Sequence, residues 1–249
     1  MSPCLRRTLL ASAISSLASG ALWAQEAPRL DDMVVTASGF EQQITNAPAS
    51  ISVVSREQLE RGYYQNVTDA LRDVPGVIVT GGGSGDNGHD ISIRGMPSQY
   101  TLILVDGRPQ NSRESRPNGS AGFEQDWLPP LQAIERIEVV RGPMSTLYGS
   151  DAIGGVINVI TRKVAQAWHG NVQLDTVLQE DSDSGDSRQA NFYLSGPLVG
   201  ERLGLQLYGR TSQRDEDNIL NGYEDKSLQS LTARFSLAAS DNHDFTAEA

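Results

Sequence analysis

The alternation of hydrophobic and polar residues changes character near residue 164. Before it, short apolar runs alternate with turn residues. Ser55, with Gln58 three residues later, predicts a helix over 56–61, and Asn66 predicts the start of a second helix over 67–74. Strands and short helices mixed over about 115 residues predict a compact α+β domain. The runs that predict strands are residues 51–54, 77–80, 90–94, 101–105, 136–140 and 156–161.

After Lys163 the predicted strands become about ten residues long. This length suits antiparallel strands that cross a membrane, with one face in lipid, and it equally suits a soluble all-β domain. Four or five such strands do not close a barrel, so we expect the sequence to be part of a longer chain. The predicted strands are residues 170–180, 190–198, 203–211, 227–238 and 244–249.

The amino terminus has the pattern of a secretory signal peptide. Arg6 and Arg7 precede an apolar run over residues 8–22, and we expect cleavage after Ala24. The single cysteine, Cys4, precedes this run, so the exported chain would carry neither a disulfide nor thiol chemistry.

Charge and composition exclude several classes of function. The net charge of -11 and the pI of about 4.7 argue against nucleic acid as a partner, which needs a basic surface. His89, His169 and His243 lack the spacing of a metal site. The glycine-rich run 81–88 lacks the ending of a phosphate-binding loop and predicts a mobile loop. No catalytic constellation or cofactor fingerprint is visible, so we expect neither an enzyme nor a resident cofactor.

A short β-prone patch precedes the α+β domain. Its residue types suit the first strand of that domain, and they equally suit an extended peptide that adds to the sheet edge of another protein. The sequence pattern leaves both interpretations open. The patch consists of Asp32, Met33, Val34, Val35, Thr36 and Ala37.

Several segments, in this order, resemble TonB-dependent outer-membrane receptors. The β-prone patch resembles a TonB box, and residues 46–54 resemble the start of a receptor plug domain. The sequences of residues 100–108 and 196–198 are most similar to those of the catecholate-siderophore receptors, of the colicin I receptor and ferric enterobactin receptor type. The remaining matching segments are residues 71–77, 91–95, 134–143 and 147–161.

The resemblance implies a domain order and a function. We expect a signal peptide over 1–24, a periplasmic tether over 25–44 with the box at about 31–38, a plug over 45–164 and the first part of a transmembrane barrel over 165–249. In the family the plug fills an outer-membrane barrel of about 22 strands. TonB, acting with ExbB and ExbD, pulls the box, and iron is carried as ferric siderophore cargo. The box lies close behind the cleavage site, so we expect transport without a signalling domain.

Alternatives remain for the cargo and for the class of protein. Another siderophore, haem or cobalamin could use the same plug, and bacteriocins could bind the same receptor. A soluble periplasmic module with a plug-like fold is a further alternative.

Two sets of arginines are candidate functional residues. Ferric tris-catecholate is a trianion, which suits the fixed charge and planar donors of arginine, so Arg108, Arg113 and Arg116 are candidate cargo residues. This hypothesis assumes that residues 101–105 run outward, as in the family. Arg94 and Arg141 each precede a glycine at the end of a predicted plug strand. The resemblance implies that they are structural latches, paired with glutamates of the barrel.

Overall fold

The computed structural model describes one compact unit of the protein, within Asp31–Ala249. The predicted signal peptide, most of the predicted tether and residues 82–88 of the predicted mobile loop lie outside the described residues, while Gly81 ends a strand. No helix in the described part of the chain is long and apolar enough to cross a membrane. The described residues are Met33, Val34, Thr36, Gly39, Gln42, Gln43, 49–81, 89–110, 124–200, 202–240 and 243–249.

A mixed five-stranded sheet, here called the plug sheet, lies at the centre of the first half. Its strand order is β3-β8-β9-β6-β7, with β6 parallel to β9 and the other neighbours antiparallel. A separate hairpin pairs β4 with β5. The strands are β3 Ser50–Val54, β4 Val77–Gly81, β5 His89–Ile93, β6 Thr101–Val105, β7 Arg108–Pro109, β8 Ile134–Arg141 and β9 Gly155–Thr161.

Short helices connect these strands. Ser55 and Gln58 form the reciprocal capping box that begins α1, and the Asn66 side chain caps α2. Helix α2 ends at Arg72, two residues before the expected end, because Pro75 disfavours helical backbone just before it. The α-helices are α1 Arg56–Arg61, α2 Val67–Arg72 and α3 Ser145–Tyr148, and the 3₁₀ turns are Ser98–Tyr100, Glu124–Trp127, Leu131–Ala133 and Ser150–Ala152.

The two faces of the plug sheet carry different residues. One face packs Ile137 and Val159 against the helices α1 and α2 and forms the main apolar core. The opposite face carries a smaller apolar cluster that includes Leu104 and Val156. Because side chains alternate along a strand, Glu138 of β8 and Asn158 of β9 share this second face. The second face therefore combines apolar packing with two buried polar side chains.

Five antiparallel strands form a second sheet, here called the wall sheet. They pair in chain order, and every strand predicted after Lys163 is present, several of them longer than expected. We call the end that carries residues 178–186 and 215–225 the loop end, and the end where β10 begins the turn end. The strands are β10 His169–Val177, β11 Ser187–Val199, β12 Leu203–Arg214, β13 Lys226–Ser240 and β14 His243–Glu248.

In the sheet of a soluble protein the apolar face is buried and the polar face is exposed, and the wall sheet has the reverse arrangement. Val172 and Leu174 of β10 are 71% and 76% exposed. Polar side chains such as Ser195 and Gln206 are buried on the face towards the plug sheet. The apolar face of this sheet thus points outward, and its polar face points inward.

Candidate functional site

Thr36 connects the N-terminal segment to the second face of the plug sheet. Its backbone N–H and its hydroxyl both donate to Glu138 Oε2, at 2.9 and 2.6 Å. The same hydroxyl accepts from Asn158 Nδ2 at 3.0 Å, and the Thr36 carbonyl accepts from the Tyr148 hydroxyl at 2.9 Å. Val34 and Thr36 are fully buried. We call these two residues the docked segment, because three plug side chains hold its threonine.

Glu138 is the central acceptor of this site. Its side chain is completely buried in β8, and its other oxygen, Oε1, accepts from Arg136 Nε at 2.9 Å. Burying a carboxylate is favourable only when donors replace the lost water. Thr36 supplies two of those donors, so withdrawal of the docked segment would remove both of them from a buried oxygen.

Asn158 and Tyr148 are oriented for this contact. The Asn158 side chain is fully buried, and its Oδ1 accepts from the Gly107 N–H at 3.1 Å, which leaves its amide group to donate to Thr36. Burial raises the pKa of Tyr148, and the nearby Glu138 raises it further. Tyr148 therefore remains a protonated donor at neutral pH.

The strand of the predicted box is paired within the chain itself. Met33 and Val34 form β1, which pairs with β2, Gln42–Gln43, in a separate antiparallel sheet. The described part of the patch is thus a strand of its own chain, attached to the plug by the hydrogen bonds of Thr36, and its addition to the sheet edge of another protein stays a prediction. Of the predicted TonB-binding residues, Met33, Val34 and Thr36 are described, and Asp32, Val35 and Ala37 lie outside the described residues.

Arg234 of β13 reaches from the wall sheet to the plug sheet. Its guanidinium lies 3.0 Å from Asp106 Oδ2 and 2.8 Å from Glu248 Oε2, and it donates to the Thr161 hydroxyl. Thr161 donates to Asp106 through its N–H and its hydroxyl, at 2.8 and 2.7 Å. Arg234 is only 7% exposed. A buried cation of the wall is therefore shared between a plug carboxylate and a wall carboxylate.

A second set of contacts joins plug and wall near the loop end. Lys226 Nζ lies 2.9 Å from Asp126 Oδ2, and Gln189 Nε2 donates to the Gln65 carbonyl at 2.9 Å. Along β13, Lys226 and Arg234 are roughly 26 Å apart at about 3.3 Å per residue. Polar contacts thus hold the plug at two separate levels of the wall sheet.

The structure changes the expected position of Arg108. Strand β6 is parallel to β9, and β9 ends at Thr161, from which residues 162–168 lead to the start of β10. Strand β6 therefore points to the turn end. In membrane β-barrels the short turns face the periplasm and the long loops face the outside, so this direction is opposite to the expectation that residues 101–105 run outward. Arg108 lies at the turn end, exposed, beside a cavity of about 960 Å³. Arg113 and Arg116 lie outside the described residues, and their cargo role stays a prediction.

The two predicted latch arginines lie on either side of one turn. Strand β5 ends at Ile93, so Arg94 does not end the strand as expected, and its φ of 53° places it in the left-handed region. Its N–H donates to the Gly76 carbonyl at 2.9 Å, and Arg141 Nη1 donates to the Pro75 carbonyl at 2.6 Å. Arg141 Nε is buried without a hydrogen-bond partner among the described residues. Pairing of either arginine with a barrel glutamate stays a prediction.

Asp217 joins the two described loops at the loop end. It accepts from the Gly185 N–H at 2.7 Å, from the Tyr223 N–H at 2.9 Å and from the Arg214 guanidinium. These hydrogen bonds, that from Gly185 first, lower the pKa of Asp217 to about 2. Although both loops are rich in aspartate, no group of three or more acidic, histidine or cysteine side chains in the described residues is arranged to hold a metal ion.

Sequence reasoning missed five residues of this site: Glu138, Asn158, Tyr148, Asp106 and Arg234. Asn158 did carry a signal, since it is a lone polar side chain in the apolar run 156–160, whereas Glu138 follows Glu135 and Arg136 in the same strand and does not stand out. Asp106 and Arg234 meet only through the tertiary fold, because 128 positions of the chain separate them. No local pattern could have paired them.

Comparison with known proteins identifies the chain. Residues 43–156 match the model of the TonB-dependent receptor plug domain. The chain belongs to the TonB-dependent receptor family. The solved structure of the siderophore receptor PirA from Acinetobacter baumannii has the same fold, with a TM-score of 0.69 and 37% identity over 80% of this chain and 31% of that receptor.

Curated relatives of the receptor carry several names. The iron-regulated outer membrane virulence protein of Vibrio cholerae is 63% identical over 93% of this chain and 35% of its own length. The ferrienterobactin receptor of Escherichia coli is 38% identical over 78% of this chain and 27% of its length. The vitamin B12 transporter BtuB of Photobacterium profundum is 42% identical over 85% of this chain and 32% of its length. The chain spans about a third or less of each relative.

Proposed function

We propose that the receptor is an outer-membrane transporter that imports a ferric siderophore and is driven by TonB with ExbB and ExbD. The docked segment carries this proposal. It is a short piece of extended chain, and the contacts that hold Thr36 on the plug are hydrogen bonds to Glu138, Asn158 and Tyr148. A segment attached in this way can be withdrawn and can add as a strand to the sheet edge of a partner.

The outward apolar face of the wall sheet supports a position in the outer membrane. Leu231 and Phe235 of β13 are 69% and 43% exposed and continue the apolar face of Val172 and Leu174. Apolar side chains facing outward and polar ones facing inward are the arrangement of membrane β-barrels. A soluble periplasmic module would expose this large apolar face to water, which disfavours that alternative.

A catecholate is the cargo that the relatives favour. The ferrienterobactin receptor supports a ferric siderophore of this type, and the siderophore receptor PirA supports a siderophore in general, with the iron as cargo and the chelate as its carrier. The similarity to BtuB supports a second candidate, cobalamin. The charge of the cargo distinguishes the two candidate cargos, because a ferric tris-catecholate is a trianion and needs cationic side chains along its route.

The decisive experiment measures uptake of radioactive iron bound to enterobactin by cells that express the complete gene, with and without TonB. Uptake that requires TonB is the expected result. Val34→Pro should retain binding and lose uptake, because proline removes an N–H and prevents regular strand pairing. Val34→Ala is the matched control and should import normally. TonB-dependent uptake of cobalamin without any binding of a ferric catecholate would replace the cargo assignment.

A further inference from the structure

We propose that the cavity between plug and wall at the turn end is an anion-binding site, which anionic cargo occupies in transit after it leaves an outer site at the loop end. The cavity measures about 960 Å³ and is lined by residues of β6, β7, β9, β11, β12, β13 and β14, by residues 162–166 and by the turn that joins β11 to β12. Its volume is in the range of small-molecule pockets. The inference rests on the proposed transport function.

The lining of this cavity is cationic, although the whole chain carries a net charge of -11. Among the described residues that line it, two are carboxylates, Asp106 and Glu248, and both contact the Arg234 guanidinium. The remaining charged lining residues are all basic: Arg108, Arg162, Lys163 and Arg202.

Three of these basic side chains have no counter-ion among the residues that the structure describes. Arg162 lies 4.0 Å from Glu135 and stacks 5.1 Å above the ring of Tyr193. Arg108, Lys163 and Arg202 are exposed, and none forms an ion pair with a residue in the described part of the chain. Uncompensated cations around one cavity attract an anion into it.

The position of the cavity suits transit better than capture. It lies at the turn end, where residues 162–168 lead from the plug to the wall, whereas the loops that would face the outside lie at the other end of the wall sheet. Its free cations are exposed and hydrated, so each one contributes a modest interaction. Such a site holds an anion briefly, and a passing cargo must also be able to leave.

Charge at the cavity is removed by the double substitution Lys163→Gln/Arg202→Gln in the complete receptor. The matched control, Arg61→Gln/Arg72→Gln, removes the same charge from exposed positions of α1 and α2, away from the cavity. Two measurements are made with ferric enterobactin: equilibrium binding to cells that lack TonB, and the initial rate of uptake by cells that contain it. Binding without TonB reports the outer site and the correct folding of each variant.

We expect the Lys163→Gln/Arg202→Gln receptor to bind the ferric chelate as the wild type does and to have a maximal uptake rate about tenfold lower. Each lost charge contact changes the affinity of the cavity for the anion by up to about fivefold before screening by salt. The control should change neither quantity. Normal uptake by the cavity variant overturns this inference alone. A wild-type receptor that neither binds nor imports the chelate overturns the proposed function together with this inference.

Discussion

Glu138→Gln tests whether the docked segment is held by the buried carboxylate. Glu138 accepts two hydrogen bonds from Thr36 at Oε2 and one from Arg136 at Oε1. Glutamine has nearly the same shape but only one acceptor oxygen, and its NH₂ group must face donors on one side. The substitution therefore weakens the attachment of Thr36 without changing the N-terminal segment itself.

The size of the effect follows from these contacts. Hydrogen bonds to a charged acceptor contribute about 1.5–3 kcal/mol each, and neutral ones about 0.5–1.5 kcal/mol. If the amide oxygen of the new side chain faces Thr36, two charged hydrogen bonds become neutral, at a cost of about 2 kcal/mol. At about 1.4 kcal/mol per factor of ten, the ratio of docked to undocked segment should fall about 30-fold.

Hydrogen exchange at the Thr36 amide measures this ratio, because that N–H is bonded directly to Glu138. The complete receptor without cargo should exchange this amide about 30-fold faster in Glu138→Gln than in the wild type. Glu135→Gln is the matched control, since Glu135 lies on the same strand and forms its ion pair with Arg162. The TonB periplasmic domain should also bind the Glu138→Gln receptor in the absence of cargo.

Equal protection of the Thr36 amide in Glu138→Gln and in the wild type would refute this reasoning. It would mean that apolar burial of Val34, and not the polar contacts, determines whether the segment is docked. Equal acceleration by Glu135→Gln would also refute it, because a general loosening of β8 would then explain the result.

Three further predictions concern the interface, the loops and the plug sheet. Asp106→Asn should lower the free energy of unfolding by about 1–3 kcal/mol, since Arg234 loses a charged partner. The exposed control Glu60→Gln should lower it by under about 1 kcal/mol. Thermal unfolding compares the two variants, and equal losses would contradict the prediction. The lowered pKa of Asp217 means that its stabilisation of the two loops is complete above its ordinary value of 3.8 and is lost as pH falls through about 2. The protection of the Gly185 amide, which is the intrinsic exchange rate relative to the observed rate at the same pH, should fall between pH 5 and pH 2, and Asp217→Asn should remove this fall. Gly155→Ala should destabilise the plug more than Gly95→Ala does. A Cβ at Gly155 would lie 2.4 Å from a backbone oxygen of β8, whereas a Cβ at Gly95 would meet nothing within 4 Å. Equal thermal stability of the two variants would contradict this prediction.

Local structure could be predicted from the sequence because its causes are local. The strand Thr101–Val105 and the helix Arg56–Arg61 occur with the expected bounds, and Ser55 and Gln58 form the capping box that their spacing predicts. The plug-domain family could also be predicted, because several short segments occurred in the right order, and the comparison confirmed it.

Strand direction and side-chain pairing could not be predicted, because they depend on residues far apart in the chain. Nothing in residues 101–105 reveals that β6 lies parallel to β9, and this pairing decides at which end Arg108 lies. Alternation along β10 revealed two faces but not which of them points outward. The structure shows that Val172 and Leu174 point outward, while the polar Gln173 is directed to Gln132 of the plug.

The distribution of polar and apolar contacts predicts that the docked segment and the plug–wall interface can separate without unfolding of the plug. The core of the plug sheet is apolar, and exposing it to water costs about 25 cal/mol for every Å². The docked segment and the plug–wall interface instead use hydrogen bonds and ion pairs, such as those of Glu138 and Arg234. Water can replace such contacts. Breaking one of them therefore costs only about 1 kcal/mol net when both partners are neutral, and somewhat more when one is charged. A pull on the N-terminal segment should therefore release Thr36 first and disturb the interface next, before it opens the apolar core between β8 and the helices.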